Sequence, residues 1–495
     1  MHLVPNYING KFSTSEGTDF TSVINPFDEV ELARTPYSKS EEVLVAIDAA
    51  KDAFSSWSKL PVIDRVQPLF KLKGLLEENA KEICEILTKE HGKTYKESWG
   101  DLLRGIQMVE VATGMPSLMQ GEALQDVARG IDSYSYRKPL GVFAGINPFN
   151  FPAMVPMWFW PFAVASGNCF IVKPSERVSM TQEAIFKLID QSGFPPGVIQ
   201  MVNGSKDVVN QLLESNDIKG VSFVGSTPVA KYIYEKGCAH KKRVQALGGA
   251  KNFLVMTPDA KIEKSVQAMV DSCLGCAGER CLAGAVLVGI GDGYEKMRDE
   301  VLRAVKNIKI GDGLNPETTM GPVISMEAKN RVLQDIEQAK AEGAECIYAG
   351  ESQENLMKGY FIAPHVFENV KPGSLLATKE IFGPVISLMK VDTLGEAIKL
   401  INSSSFANTC SIFTTNGMAA REFSQNVHPS MVGVNLGVPA PMAFFSFGGS
   451  KDSFYGDVKV HGKSSVEFFT EKLTVMQRWF NEDKNENLNP HWDKD

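Results

Sequence analysis

Cys281 closes the segment G-C-A-G-E-R-C at 275–281. A thiolate is a potent nucleophile at neutral pH and can carry an acyl group as a thioester. This cysteine follows a run with helical spacing and then a glycine-containing turn, so its side chain is not committed to a helix face. Arg280 beside it is expected to favour the thiolate. Cysteines at large are more often inert core residues, so Cys281 gains weight only from its company. In G-I-N-P-F-N-F-P, 145–152, Asn150 lies between two aromatics at the end of an apolar run. Open α/β sheets gather ligands at the carboxyl ends of their strands. An amide there can donate to a developing oxyanion, although a turn-forming asparagine is the plainer alternative.

Three further segments suit a dinucleotide. V-K-P-S-E, 172–176, directly follows the apolar run C-F-I-V-K, and Lys173 and Glu176 could hold ribose hydroxyls. A carboxylate near the 2′ position repels a 2′-phosphate, which favours NAD over NADP. In F-V-G-S-T-P-V-A, 223–230, Thr227 is a good helix N-cap and Pro228 a good first helical residue. Gly225 and Ser226 then form a strand-to-helix turn whose free N–H groups can meet a pyrophosphate. K-E-I-F-G-P-V, 379–385, offers Glu380 and Phe382 to a nicotinamide ribose and ring; an exposed Glu and a core Phe are the plainer alternative. No G-x-G-x-x-G is present.

The elements that must position these residues follow from periodicity. Residues 41–120 read as helices, with Val43, Ile47, Ala50, Phe54 and Trp57 on one face of the first. From about 140, short apolar runs (GVFAGI, CFIVK, VIQMV, GVSFVG, FLVM) alternate with helical segments, the signature of a parallel sheet with crossover helices. The pattern resumes after Cys281 with AVLVGI, a helix and G-D-G-L-N-P. D-S-Y-S-Y-R before residue 138 and V-E-F-F-T around 466–470 read as strands outside the main sheets, a small projecting arm of the kind that pairs subunits. The nearly charge-free stretch 151–170 is broken by Pro152, Pro156 and Pro161, so a buried helix leading into a strand fits better than a membrane span.

Composition narrows the function further. The chain has 495 residues, too many for one core, so two or three domains are expected. Net charge is −8, which argues against a general nucleic-acid partner. The seven histidines form no metal-binding pair with cysteine. The eight cysteines follow no disulfide spacing and the start M-H-L-V-P-N-Y-I-N-G has no signal-peptide pattern, so a cytoplasmic location is expected. Cys273 and Cys276 spell C-x-x-C, but a buried helix face is the plainer reading, since Ile262, Val266, Met269, Val270 and Cys273 recur at helical spacing. No internal repeat is visible; the last dozen residues are polar.

Taken together and in this order, the segments resemble the aldehyde dehydrogenase superfamily over essentially the whole chain. The matching motifs are P-F-N-F-P at 148–152, K-P-S-E at 173–176, G-S-T at 225–227, the Cys281 loop, E-I-F-G-P at 380–384 and F-G-G-S-K at 447–451. The resemblance implies Cys281 as nucleophile and Asn150 as oxyanion donor. It implies cofactor contacts from Phe149, Lys173, Glu176, Gly225, Ser226, Glu380 and Phe382. The implied fold is α/β: a Rossmann-type NAD domain with a five-stranded dinucleotide fold (1–121 and 141–247) and an α/β catalytic domain (248–450). A small β oligomerisation arm with the C-terminal tail (122–140 and 451–495) completes it, in a homotetramer.

Departures from the family pattern select a branch. Most members carry E-L-G-G-K, whose Glu serves as general base for water; here 247–251 read L-G-G-A-K, placing Leu247 where that Glu should be. This absence resembles the methylmalonate-semialdehyde dehydrogenases, as do G-A-K-N at 249–252, A-G-E-R-C at 277–281 and N-L-G-V-P-A-P-M-A-F-F at 435–445. That subfamily transfers its acyl group to coenzyme A, and the resemblance links Arg104 and Arg280 to the substrate carboxylate. The implied reaction oxidises malonate or methylmalonate semialdehyde, loses CO₂ and yields acetyl- or propionyl-CoA. Three alternatives stay open: a hydrolytic aldehyde dehydrogenase, a cysteine acyltransferase without redox chemistry, and a non-catalytic protein on a dehydrogenase fold. Ala230, where a Gly is usual, is expected to loosen the pyrophosphate turn.

Overall fold

The computed structural model describes residues 1–351 and 358–480; the polar last dozen residues lie outside the described residues. The apolar runs become strands covered on both faces, which is why they read as continuous rather than alternating. Val142–Ile146 and Cys169–Lys173 are buried at every position. The first large sheet runs in the order Phe454–Tyr455, Arg243–Leu247, Ile218–Val224, Val142–Ile146, Cys169–Lys173, Ile199–Met201, Asn6–Ile8 and Lys11–Ser13. Its five middle strands are parallel and its edges antiparallel. The five-stranded dinucleotide core is therefore present without the usual glycine fingerprint.

Helix Ser40–Trp57 covers this sheet with Val43, Ala46, Ile47, Ala50 and Trp57, while Phe54 is only half-buried. Each such side chain contributes about 1.5–3 kcal/mol of apolar burial. The Trp57 indole finds its partner in the Val164 carbonyl at 2.9 Å. The stretch 151–170 forms two short buried helices, Met154–Met157 and Trp160–Ala165, then the strand Cys169–Lys173. Among the described residues, no helix is long and apolar enough to cross a membrane.

A second sheet, in the order Glu345–Ala349, His365–Glu368, Val385–Val391, Gly284–Ile290, Asn252–Met256, Thr409–Phe413 and Met431–Val434, is parallel except for its first pair. It has its own buried core, spanning Phe253 to Phe423. The first core also draws on late residues, including Phe447, Phe454, Val460 and Phe469.

The arm is a three-stranded sheet with Ile131–Pro139 between Ala123–Ala128 and Thr470–Gln477. The strand expected at V-E-F-F-T is instead helix, Gly462–Phe469, and the arm strand begins at Thr470. The β-branched and aromatic residues suggested a strand. Val466 and Phe469 lie one helical turn apart and both are buried in the first core, and that packing decides the conformation. The first forty residues hold five short strands that periodicity did not reveal, because two to six residues are too few to show a period.

Candidate active site

Strand register aligns the candidate segments. Ile146 pairs with Lys173, Phe223 with Ile146 and Val224 with Leu247. The segments beginning at Asn147, Pro174, Gly225 and Gly248 therefore all leave the carboxyl edge of the first sheet. Cys281, Asn252 and Glu380 lie at the opposite, amino edge of the second sheet, before or at the start of strands Gly284–Ile290, Asn252–Met256 and Val385–Val391. The two edges meet: Asn150 Nδ2 donates to the Glu279 carbonyl at 3.0 Å.

The loop that presents Cys281 is built from unusual backbone. After helix Ile262–Leu274, Cys276, Ala277 and Gly278 have φ of 51°, 52° and 79°. Two non-glycine residues in the left-handed region store strain and must be held by their surroundings. Glu97 holds them: its Oε1 accepts from the Cys276 N–H at 2.6 Å and from Arg280 Nη2 at 3.0 Å. Gly278 leaves no room for a side chain, since a Cβ there would lie 2.2 Å from the Gly383 carbonyl oxygen. The Cys281 carbonyl accepts from Asn252 Nδ2 at 2.9 Å and Asn408 Nδ2 at 3.0 Å. Neither asparagine was singled out from the sequence. Cys273 is a buried helix residue, as expected, whereas Cys276 is buried but lies beyond the helix, in the left-handed turn. Among the described residues no His/Cys/Asp/Glu cluster could hold a metal ion.

Electrostatics set the expected pull of Arg280 against the burial of the thiol. The Cys281 thiol is pushed up to about 12, first by burial and then by the charge of Glu380; nearby N–H groups and Arg280 pull the other way. Arg280 acts in the expected direction but is the weakest of these influences, and burial outweighs it. Its guanidinium is occupied by Glu97 and by Cys276 Sγ at 3.3 Å. Arg104 differs. It donates to Gln107 Oε1 at 3.2 Å and Met442 Sδ at 2.8 Å and has no carboxylate partner among the described residues. Both arginines line one cleft of about 770 Å³ with Cys281, Trp158, Phe447 and His461. That volume suits a small-molecule site.

The dinucleotide segments present a cradle. Lys173 and Glu176 form an ion pair at 2.8 Å; burial raises the Glu176 carboxyl, but Lys173 outweighs it, so Glu176 stays below the ordinary carboxylate range. Helix Thr227–Ala239 starts one residue earlier than expected: Ser226 is the N-cap. The Thr227 hydroxyl instead accepts from the Gly249 N–H at 2.9 Å. The first helical turn still offers N–H groups without intrahelical partners. Ala230 is fully buried, its methyl packed in the first core. Phe149 and Phe382 meet edge to face at 6.0 Å. Glu380 lies against Gly249, where a Cβ would come within 2.5 Å of its Oε2. Burial pushes its carboxyl up to about 7, against the pull of the Ala250 N–H and of Lys251. Leu247 ends its strand, buried, with its carbonyl accepting from the Gly225 N–H at 3.1 Å. The residues thus fit a dinucleotide lying across the carboxyl edge of the first sheet.

Glu279 also escaped sequence reading. It is fully buried between Asn150 and Cys281, its Oε1 accepts from the Ile324 N–H at 3.3 Å, and its Oε2 has no partner. Burial pushes its carboxyl up to about 8.

Comparison with known proteins gives the family. The model of the aldehyde dehydrogenase family matches residues 12–475. A malonate-semialdehyde dehydrogenase of Bacillus cereus is 45% identical over 478 residues, 96% of this chain and 98% of that protein. The crystal structure of a methylmalonate-semialdehyde dehydrogenase from Oceanimonas doudoroffii superposes with a TM-score of 0.95 at 40% identity, over 97% of this chain and 99% of that one. A putative methylmalonate-semialdehyde dehydrogenase from Sinorhizobium meliloti, complexed with NAD, gives 0.94 at 36% identity over the same shares.

Proposed function

Because the chain belongs to the aldehyde dehydrogenase family, we propose that it oxidises malonate or methylmalonate semialdehyde with NAD and passes the decarboxylated acyl group to coenzyme A. The observation that carries the coenzyme A reading is Leu247: a buried leucine stands where a general base for water would be needed. The relatives named above act on malonate or methylmalonate semialdehyde, and one binds NAD.

In this reading Cys281 loses its proton as the aldehyde arrives and attacks the carbonyl carbon. The alkoxide accepts from the Asn150 N–H not engaged by Glu279 and from the Cys281 backbone N–H. Lys173 and Glu176 would hold the adenosine ribose of NAD, Gly225 and Ser226 its pyrophosphate, and Glu380, Phe149 and Phe382 its nicotinamide end, where the bound cofactor would supply the hydride acceptor. The Cys281 thioester then carries a carboxylate beta to its carbonyl, which Arg104 anchors. Loss of CO₂ leaves a thioester enolate that takes up a proton. The thiolate of coenzyme A attacks the thioester, and Cys281 departs as the leaving group. Water as acceptor would need another base, and Glu380, poised near 7, is the group suited to that work.

The five parallel strands of the first sheet, within 141–247, would form the NAD-binding domain together with residues 1–121, and the second sheet, within 248–450, the catalytic domain. The arm, with Leu124, Tyr136, Leu473 and Met476 exposed, would pair subunits into a homotetramer, which light scattering can test. Eight cysteines without a disulfide suit the cytoplasm.

The deciding experiment is a burst assay. Without coenzyme A, NADH should form in one rapid turnover and then stall; coenzyme A should restore steady turnover and appear as a thioester product. Steady turnover that coenzyme A does not accelerate would assign water as acceptor.

A further inference from the structure

Glu279 aims the Asn150 amide, but the Asn150 peptide is gripped from the other side. Lys93 lies in the turn between helices Ala80–His91 and Tyr95–Ala112. Its side chain and that of Asp101 are both 0% exposed. The ammonium has three neighbours: Asp101 Oδ2 at 3.1 Å, the Asn150 carbonyl at 2.6 Å, and the face of the Phe151 ring 4.2 Å from its centroid. Asp101 in turn accepts from the Met154 N–H through Oδ1 at 2.7 Å. One ion pair thus holds the chain at residue 150 and again at residue 154, on either side of Pro152.

A dry ion pair is a poor way to stabilise a fold, because desolvation offsets most of the attraction. Apolar side chains of similar volume would fill the space as well. They could not direct a cation at one peptide carbonyl. The pair therefore does something that packing alone would not, and the group it touches belongs to the residue assigned to the oxyanion.

We propose that Lys93, neutralised by Asp101, is a positioning residue that fixes the Asn150 peptide so that its amide is set for the alkoxide before substrate arrives. The proposal rests on the assignment of Asn150 made above. Lys93 acts only through Asn150, so its effect must disappear once the amide is gone. A displacement of about 1 Å at such a group is enough to slow a reaction about 10²-fold.

The test is the NADH burst rate with propanal and NAD, which needs neither the substrate carboxylate nor coenzyme A. Removing lysine alone strands a buried carboxylate, so the main variant is Lys93→Met with Asp101→Asn, which keeps an acceptor for the Met154 N–H and carries no charge. Lys93→Met alone is the companion. The expected result is a burst slowed about 10²-fold, with KM for NAD unchanged and the melting temperature of the double variant close to that of the parent. Placed in an Asn150→Ala background, the same substitutions should slow the burst little further, because the losses share one route. Losses that multiply in that background, or a full-rate burst in the neutral double variant, overturn the proposal while leaving Asn150 in place. An Asn150→Ala enzyme at full rate removes the assignment of Asn150 and the proposal with it.

Discussion

The two arginines of the cleft should behave differently when each is replaced by methionine, which keeps length and removes charge. Arg104 is bonded only to neutral groups, Gln107 and Met442. Its charge is therefore available to a substrate carboxylate. A charge-assisted hydrogen bond contributes about 1.5–3 kcal/mol, which at 1.36 kcal/mol per decade is a loss of roughly 10–150-fold in kcat/KM. That loss should appear with malonate semialdehyde and not with propanal. Arg280 is already paired with Glu97, their side chains 21% and 11% exposed. Removing one partner of a buried pair costs about 3–5 kcal/mol; partial exposure places this case at the low end. The cost falls on the strained turn at Cys276 and Ala277, so activity should drop with both aldehydes and the melting temperature should fall. Glu97→Gln should reproduce the Arg280 phenotype from the other side. The assay is kcat/KM for both aldehydes at saturating NAD and coenzyme A, beside a thermal melt. If Arg280→Met spares propanal and the melting temperature, Arg280 is a substrate anchor and the reasoning from its ion pair is wrong.

Cys281, with its thiol near 12, should react with iodoacetamide in the absence of NAD at a rate rising about tenfold per pH unit from 7 to 10; a plateau below pH 9 contradicts the buried-thiol picture. Leu247→Glu should raise turnover without coenzyme A and release free acid, well short of the roughly 10²–10⁴-fold that a general base can supply, because the site is apolar and favours the neutral carboxyl; unchanged turnover removes Leu247 from the argument. Burial pushes the Glu279 carboxyl up to about 8 in the folded state, above the ordinary carboxylate range, so the folded state holds its proton more tightly and loses stability as pH rises from that range to about 8. Glu279→Gln should therefore raise the melting temperature more at pH 9 than at pH 5, and an equal or reversed difference refutes the burial effect. Gly278→Ala should cost about 1–3 kcal/mol in urea unfolding, since its φ is positive and the Gly383 backbone cannot step aside; parental stability would show that the loop is free to shift.

The parallel sheets were legible because strands buried on both faces must be apolar throughout, and C-F-I-V-K and G-V-F-A-G-I announce themselves that way. The order of the chemical segments was legible because each sits next to such a run. What stayed hidden depends on contacts distant in the chain. Lys93 in H-G-K-T-Y reads as an ordinary loop lysine until the fold brings the Asn150 carbonyl to it. Asn252 opens one strand of the second sheet and Asn408 lies just before another, Thr409–Phe413, and the two converge on the Cys281 carbonyl. That Arg280 pulls toward the thiolate follows from its place beside Cys281; that burial outweighs this pull, and that Glu97 on a helix far earlier in the sequence holds its guanidinium, does not. V-E-F-F-T failed for the opposite reason: local preference was clear, and packing overruled it.

The chain also returns on itself late. Strand Phe454–Tyr455 closes the edge of the first sheet against Ala246 and Leu247, and Thr470–Gln477 completes the arm against Ile131–Pro139. The whole of the second sheet is made between Leu247 and Phe454. On the ribosome, growing at about 5–20 residues per second, the earlier half must wait on the order of tens of seconds for its last strands to emerge. Through that interval it presents an unpaired edge and an incomplete core, the conditions under which nascent chains pair wrongly with one another. The same topology makes the two halves inseparable: a shortened gene ending before Phe454 would encode every one of the residues assigned to the chemistry and still lack the pieces that finish the first half.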